Sequence, residues 1–176
     1  MINNKQLSKI ELRKNKISRD EFPKLKRNPI YLILDNLKSA HNIGTILRLS
    51  DALLVEKVFI CGDSPVPPKR RVIKGSLGAE KWVNWEHNDN IINVICKLKG
   101  LGVSIVSAEM SSTSIDYRSL VCKFPIGLVL GREDRGICQE VLSLSDKTVC
   151  LPMLGMMNSL NVSTVAAALL FNMIKI

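Results

Sequence analysis

Three short stretches of this chain set polar and glycine residues directly after apolar runs. The first is Asp35 to Asn42, which leads into a helically spaced segment bearing Arg48. The second is Gly131-Arg-Glu-Asp-Arg-Gly136, which frames Glu133 between two glycines. The third runs from Pro152 through Gly155 to Asn158-Ser-Leu-Asn161. Glycine permits close backbone approach and positive φ, so such loops can hold a ligand through main-chain groups. In open α/β sheets ligands sit beyond the carboxyl ends of strands, which is where these loops fall. The second loop is not a Walker phosphate loop, since Ile137-Cys138 stands where Lys-Ser/Thr is needed, and it is not GxGxxG either. Each stretch also has a plainer reading. The second can be an ordinary strand-to-helix turn. Met153, Met156 and Met157 can be core filling. Ser159 and Asn161 can cap the last helix.

The elements that must position these loops alternate along the chain. Strands are expected at Tyr31–Leu34, Val58–Cys61, Trp82–Trp85, Val103–Val106, Ile126–Leu130 and Thr148–Leu151. Helices are expected over 5–16, around Ile43–Leu53, at Ile91–Leu98, around 137–144 and over 160–174. Residues 62–68, with Gly62, Pro65, Pro67 and Pro68, read as loop. The strands are apolar on both faces. That pattern predicts an α/β fold, a mostly parallel sheet with helices on both faces. The last helix is apolar on nearly every side, so it is expected to be buried all round.

Composition narrows the class of partner. The chain has 176 residues, a net charge of +9 and 46% hydrophobic residues, enough for one domain with a sizeable core. Residues 1–30 hold nine basic and three acidic side chains, and a second basic cluster is Lys69, Arg70, Arg71 and Lys74. A solvated face explains such runs; so does a polyanionic partner, whether membrane surface or nucleic acid. Five cysteines without a CxxC, and only two histidines, argue for reduced thiols and no metal site. Cys61, Cys122 and Cys150 are expected to be buried. No signal peptide follows the basic N-terminus, and the apolar run at 160–174 is too short and polar to span a membrane, so a cytoplasmic protein is expected.

Taken together, the three loops resemble one family. Asn42-Ile-Gly-Thr-Ile-Leu-Arg48, Leu130-Gly-Arg-Glu-Asp-Arg-Gly136 and Leu151-Pro-Met-Leu-Gly-Met-Met-Asn-Ser-Leu-Asn-Val-Ser163 resemble, in order and separation, the three motifs of the SpoU/TrmH-type RNA ribose 2′-O-methyltransferases of the SPOUT superfamily. Gly78-Ala-Glu-Lys-Trp-Val83 and Asp116-Tyr-Arg118 further resemble the TrmH branch, which methylates a D-loop guanosine of tRNA. The resemblance covers residues 29–176, the catalytic domain, and leaves 1–28 as a basic N-terminal extension. It implies a C-terminal deep trefoil knot, which general topology rules would not predict. It also implies S-adenosylmethionine as cofactor, held by Ala108, Gly131, Leu151, Met153 and Leu160, and catalysis by Asn42, Arg48, Glu133, Ser159 and Asn161.

On this reading Arg48 presents its planar fork to ribose and phosphate, because a guanidinium stays protonated and makes a poor base. The proton of the ribose hydroxyl passes to phosphate, water or Glu133. RNA is the polyanion, tRNA first and ribosomal RNA as the second choice. Lys14, Lys16 and Arg19 of the extension, with Arg70 and Arg71, are the expected phosphate contacts. An RNA-binding module that has lost catalysis is the reading from a different class. The family forms homodimers with the site near the interface, so a homodimer is expected. Two departures from the family stand out. Leu54 occupies a position usually held by glycine, and the chain stops at Ile176 without the basic C-terminal extension of the tRNA-modifying members.

Overall fold

Aliphatic runs become the strands of one parallel sheet in the computed structural model, which describes residues 5–14 and 16–174. In chain order the elements are α1 (Lys9–Lys14), β1 (Asn28–Asp35), α2 (Ala40–Ala52), β2 (Val55–Cys61), α3 (Arg70–Ser76), β3 (Trp85–Asn88) and α4 (Ile91–Gly100). There follow β4 (Ser104–Ala108), β5 (Ile115–Asp116), β6 (Ile126–Leu130), α5 (Gln139–Leu144), β7 (Lys147–Cys150) and α6 (Val162–Ile174). The strands lie in the order β3-β2-β1-β6-β4-β7-β5, and every pairing is parallel.

Alternation along each strand feeds two cores. Ile30, Leu32, Leu34, Val106, Leu128 and Leu130 face α2, α3 and α6, where they meet Ile43, Ile46, Leu47, Val72, Ala166, Leu169 and Leu170. Ile33, Phe59, Ile105 and Val129 point the other way, against Ile91, Val94, Ile95 and Leu98 of α4 and Val141 of α5. Helices on both faces are what strands without a polar side require. Among the described residues no helix is long and apolar enough to cross a membrane.

Register decides where the loops go. Leu34 lies beside Leu130, Leu130 beside Ala108, and Ala108 beside Val149. The residues that follow β1, β6, β4 and β7 therefore leave the sheet in one row. The three polar stretches, far apart in sequence, are neighbours because four strands end level.

The close packing of α2 on α3 depends on two glycines. A Cβ on Gly44 would lie 2.3 Å from the Val72 carbonyl oxygen and 2.8 Å from the Gly75 Cα; one on Gly75 would lie 2.7 Å from the His41 carbonyl. These are backbone obstacles that no side-chain rotation relieves. Gly44→Ala is expected to cost about 3 kcal/mol, at the upper end of ordinary overpacking. Urea unfolding of parent and variant, with unchanged slope and a lower midpoint, checks it.

Several expectations need correction. The strand placed at Trp82–Trp85 begins at Trp85, because residues 79–81 form a short 3-10 turn ahead of it. The first helix is shorter than 5–16, covering Lys9–Lys14. The basic cluster near residue 70 forms α3, a helix that the charges concealed, since only Val72, Gly75 and Ser76 of its seven residues are buried. α6 is not covered on every side within the chain: Val162, Ala166, Leu169, Leu170 and Met173 are buried, but Phe171 is 54% exposed. Cys61 is buried, and burial first, then Asp35 and Glu86, push its thiol up to about 12; Cys122 and Cys150 are only half-buried. Leu54 has φ 47°, the left-handed conformation that glycine adopts at least cost. The helix before it therefore ends as a glycine would end it, with a leucine in the strained position.

Candidate active site

The start of α2 carries the first part of the site. Ser39 caps this helix, its Oγ accepting from the Asn42 N–H at 3.3 Å. Glu133, from the loop after β6, sits at the same helix end. Its Oε2 accepts from the Lys38 N–H at 3.1 Å, and its Oε1 accepts from the Ser39 N–H at 3.3 Å. A carboxylate at a helix N-terminus meets unpaired backbone donors and the positive end of the helix dipole.

Asn42 joins three loops. Its Nδ2 donates to Glu133 Oε1 at 3.1 Å, while its Oδ1 accepts from Asn161 Nδ2 at 3.1 Å. Asn161 in turn uses its Oδ1 to accept from the Ser163 N–H at 2.8 Å, at the first turn of α6. One amide thus caps α6 and reaches across to α2, so the capping and site readings of Asn161 are both realised in one side chain. Asn42 is buried while Glu133 and Asn161 are exposed, so its two hydrogen bonds are shielded from water on the Asn42 side alone.

These contacts fix the charge state of Glu133. Burial pushes its carboxyl up, but the donors Lys38 N–H, Glu133 N–H, Asn42 Nδ2 and Ser39 N–H outweigh it and leave the group below its ordinary value of 4.5. A depressed value means that the ionised form is favoured by folding. That contribution is full above the unfolded value and is lost as pH falls through the folded one. Glu133→Gln is therefore expected to melt lower than the parent at neutral pH. The gap should close once pH drops below 4.5 and through the lowered value, which thermal melts across the acid range will show. Beside it, Asp134 pairs with Arg132 at 3.1 Å and with Lys38 at 2.8 Å, and these partners hold its carboxyl well below the usual range.

A cleft of about 510 Å³ opens over this edge of the sheet. Ala108, Gly131, Leu151, Met153 and Leu160 all line it, together with Glu133, Ser159 and Asn161. Asn42 is hydrogen-bonded to two of its lining residues. Arg48 is not among the lining residues. It lies six residues beyond Asn42, about 9 Å further along the helix and about 120° around it. Its side chain is exposed, and among the described residues it has no hydrogen bond or ion pair. Within one chain, four of the five expected catalytic residues come together and Arg48 does not.

Sequence reasoning missed Glu109. It lines the cleft directly after β4, its Oε2 accepting from the Ile137 N–H at 2.8 Å and its Oε1 from the Met110 N–H at 2.9 Å. It holds the far end of the second loop, where Gly136 has φ 66° and a Cβ would lie 2.2 Å from Glu109 Oε2. An acid at a strand's carboxyl end was the available signal. The expected RNA contacts are exposed: Lys14 ends α1, Arg70 and Arg71 open α3, and Arg19 stands 6.0 Å from the Trp82 ring centroid.

A parallel sheet with a ligand-sized cleft over the carboxyl ends of its strands defines an α/β protein whose site is built by strand-end loops. The chain belongs to the SpoU rRNA Methylase family, whose model matches residues 29–171. It is 31% identical over 147 residues to the tRNA (guanosine(18)-2'-O)-methyltransferase of Escherichia coli, covering 83% of this chain and 63% of that protein. The chain thus spans less than two thirds of that relative. The A. aeolicus TrmH/SpoU tRNA modifying enzyme matches with a TM-score of 0.78 and 28% identity, over 89% of this chain and 82% of that one. The AdoMet-bound rRNA methyltransferase from Sinorhizobium meliloti matches with a TM-score of 0.80 over 88% of this chain and 59% of that one; at 22% identity it bears on the fold alone.

Proposed function

We propose that the chain is an S-adenosylmethionine-dependent enzyme that methylates a ribose 2′-hydroxyl of tRNA, with a D-loop guanosine as target. The observation that carries this reading is the Glu133–Asn42–Asn161 chain of hydrogen bonds, which locks the three family loops around one cleft. The fit of the cofactor is supported by the cleft itself. Its volume suits a ligand of that size, and its lining combines apolar side chains with strand-end backbone groups, the mix that small-molecule sites use. The tRNA target is supported by relatives named for guanosine(18) 2'-O-methylation of tRNA. Lys14, Lys16, Arg19, Arg70 and Arg71 offer exposed cations to phosphates. The cytoplasm is then the place of action.

When bound, S-adenosylmethionine supplies an electrophilic methyl group. The protein must hold the ribose hydroxyl in line with it and let a proton leave. Asn42 and Asn161 set the loop geometry on which that alignment depends. Glu133 already accepts three hydrogen bonds and is held ionised below its usual range, which makes it a poor proton acceptor. Its role is positioning, and the proton goes to water or to an RNA phosphate. Arg48 presents its fork to ribose and phosphate.

The same reading brings a homodimer and a trefoil knot. The third loop carries Leu154, 98% exposed, and Met156, 97% exposed, and α6 carries the exposed Phe171; such large apolar side chains in solvent suit contact with a second copy. The exposed side chain of Arg48 fits the same arrangement, in which it serves the partner's cleft. The knot is supported by family membership and by a third loop that faces the second across the cleft.

The test is transfer of labelled methyl groups from S-adenosylmethionine to total tRNA and to ribosomal RNA, with mapping of the modified nucleotide. Label in the D-loop of tRNA is the expected result. Label confined to ribosomal RNA would move the substrate, and RNA binding without transfer to either would replace the enzyme by a binding module.

A further inference from the structure

A second pocket, of about 300 Å³, lies at the other end of α2. Lys16, Ser18 and Arg19 from the N-terminal segment line it together with Asp51 and Trp82 from the core. The methyl-transfer reading gives Lys16 and Arg19 to RNA phosphates but assigns nothing to Asp51 or Trp82. The main cleft stands over the carboxyl ends of the strands, whereas Asp51 lies just before β2, at the amino ends. Nine residues of helix, about 13 Å, separate Asp51 from Asn42.

The pocket is built. The Arg27 guanidinium donates to the Val55 carbonyl at 3.2 Å and to the Trp82 carbonyl at 3.1 Å, pinning the N-terminal segment to the sheet's amino edge. Phe22 meets Trp82 edge-on, with centroids 5.6 Å apart and planes at 72°. The Arg19 guanidinium stands over the Trp82 ring at 6.0 Å. Asp51 is half-buried, and among the described residues its carboxylate has no hydrogen bond or ion pair. Burial raises its pKa against the opposing charges of Lys16 and Arg27. Its oxygens reach solvent at the pocket, where a ligand's donors can meet them.

An aromatic face and an acceptor-only carboxylate suit a base, and two cations suit its phosphate. Bases stack on aromatic rings, and Arg and Lys hold phosphates. Resting on the RNA reading above, we infer that this pocket is a second RNA subsite that takes one unpaired guanine nucleotide. The base takes the Trp82 face that the Arg19 guanidinium covers in this structure, its N1–H and N2–H donate to the Asp51 carboxylate, and Lys16 with the displaced Arg19 holds its phosphate. The carboxylate selects the base. Two adjacent N–H donors match its two oxygens, whereas adenine and cytosine set a single amino donor beside a ring nitrogen whose lone pair faces the carboxylate. A nucleotide gripped here anchors the RNA at a fixed distance from the cleft, so the subsite acts in choosing which nucleotide reaches it.

Calorimetric titration of the whole chain with GMP, AMP and CMP tests the inference without RNA. GMP is expected to bind at least about fivefold more tightly than the other two, and Asp51→Ala to weaken GMP about tenfold and erase the preference. Arg19→Ala, an exposed change that leaves the fold alone, is expected to weaken all three nucleotides. Asp51→Asn keeps the shape and gives the same answer should Asp51→Ala fail to fold. No binding of GMP by the parent, equal binding of all three nucleotides, or GMP affinity indifferent to Asp51 would each overturn the subsite. Labelled methyl transfer by the parent chain is measured separately. Transfer without a guanine preference sinks the subsite and leaves the enzyme standing. A guanine preference lost with Asp51 upholds the subsite even if transfer is absent, and that absence sinks only the enzyme.

Discussion

Asn42→Ala is expected to reduce methyl transfer about 100-fold in a chain that still folds. Deleting this amide removes one donor to Glu133 and the acceptor for Asn161 together, so the three loops lose their common tie. Glu133 Oε1 keeps only its Ser39 N–H donor, and the Asn161 amide is left without its partner. Neither loss unfolds a core whose two faces are filled by more than thirty buried apolar residues. What changes is the relative placement of the cofactor loop and the end of α2. An alignment error of about 1 Å is enough for a loss of this size. Asn42→Asp sharpens the test because it keeps the shape. It can still accept from Asn161, but it sets a second carboxylate against Glu133, so it should be no better than alanine. Steady-state kinetics separate the effect. A fall in kcat with a small change in cofactor affinity is expected for a positioning residue. Activity within a few-fold of the parent would remove the hydrogen-bonded chain from the mechanism.

Much of this site could be read before any coordinates. Asn42, Glu133, Ser159 and Asn161 were legible as a group through the resemblance of their three stretches to the motifs of one family, while the apolar strands showed only that such loops lie at the carboxyl edge of a parallel sheet. Which loops would touch was set by register, the level ending of Asp35, Ala108, Leu130 and Cys150, and register is invisible in composition. α3 was hidden because a helix of seven residues with two arginines and a lysine shows almost no apolar periodicity; it is held by the glycine contact between Gly44 and Gly75, which a sequence displays only as two scattered glycines. β3 was misplaced by three residues because both tryptophans have strand propensity, and a turn ahead of Trp85 decided between them. Glu109 was missed for a different reason. Its function is to accept two backbone N–H groups, and a lone acid after a strand carries no sign of what it will accept.

The second large effect follows from Arg48, the one expected catalytic residue that neither lines the cleft nor is hydrogen-bonded to a residue that does. Arg48→Ala is expected to be as inactive as Asn42→Ala, although Arg48 is not among the residues that line its own cleft. If Arg48 completes the cleft of a second copy, two dead chains can repair each other. In a mixed dimer the Arg48→Ala chain keeps Asn42 and receives Arg48 from its partner, so its cleft is whole. The cleft of the Asn42→Ala chain lacks both groups. Random pairing of equal amounts makes half of the dimers mixed, each with one competent cleft of two, which predicts recovery to about a quarter of the parent rate in a closed two-fold assembly. Co-expression of the two variants with different affinity tags, followed by isolation of the doubly tagged species, measures it directly. That species should show about half the parent rate per dimer, while each variant purified alone stays near background. An Arg48 that bends back to serve its own chain predicts no recovery at all, since neither chain then holds a complete set. The experiment thus decides between two placements of the same guanidinium, and its signal rises from almost nothing, so even incomplete pairing leaves the two outcomes far apart.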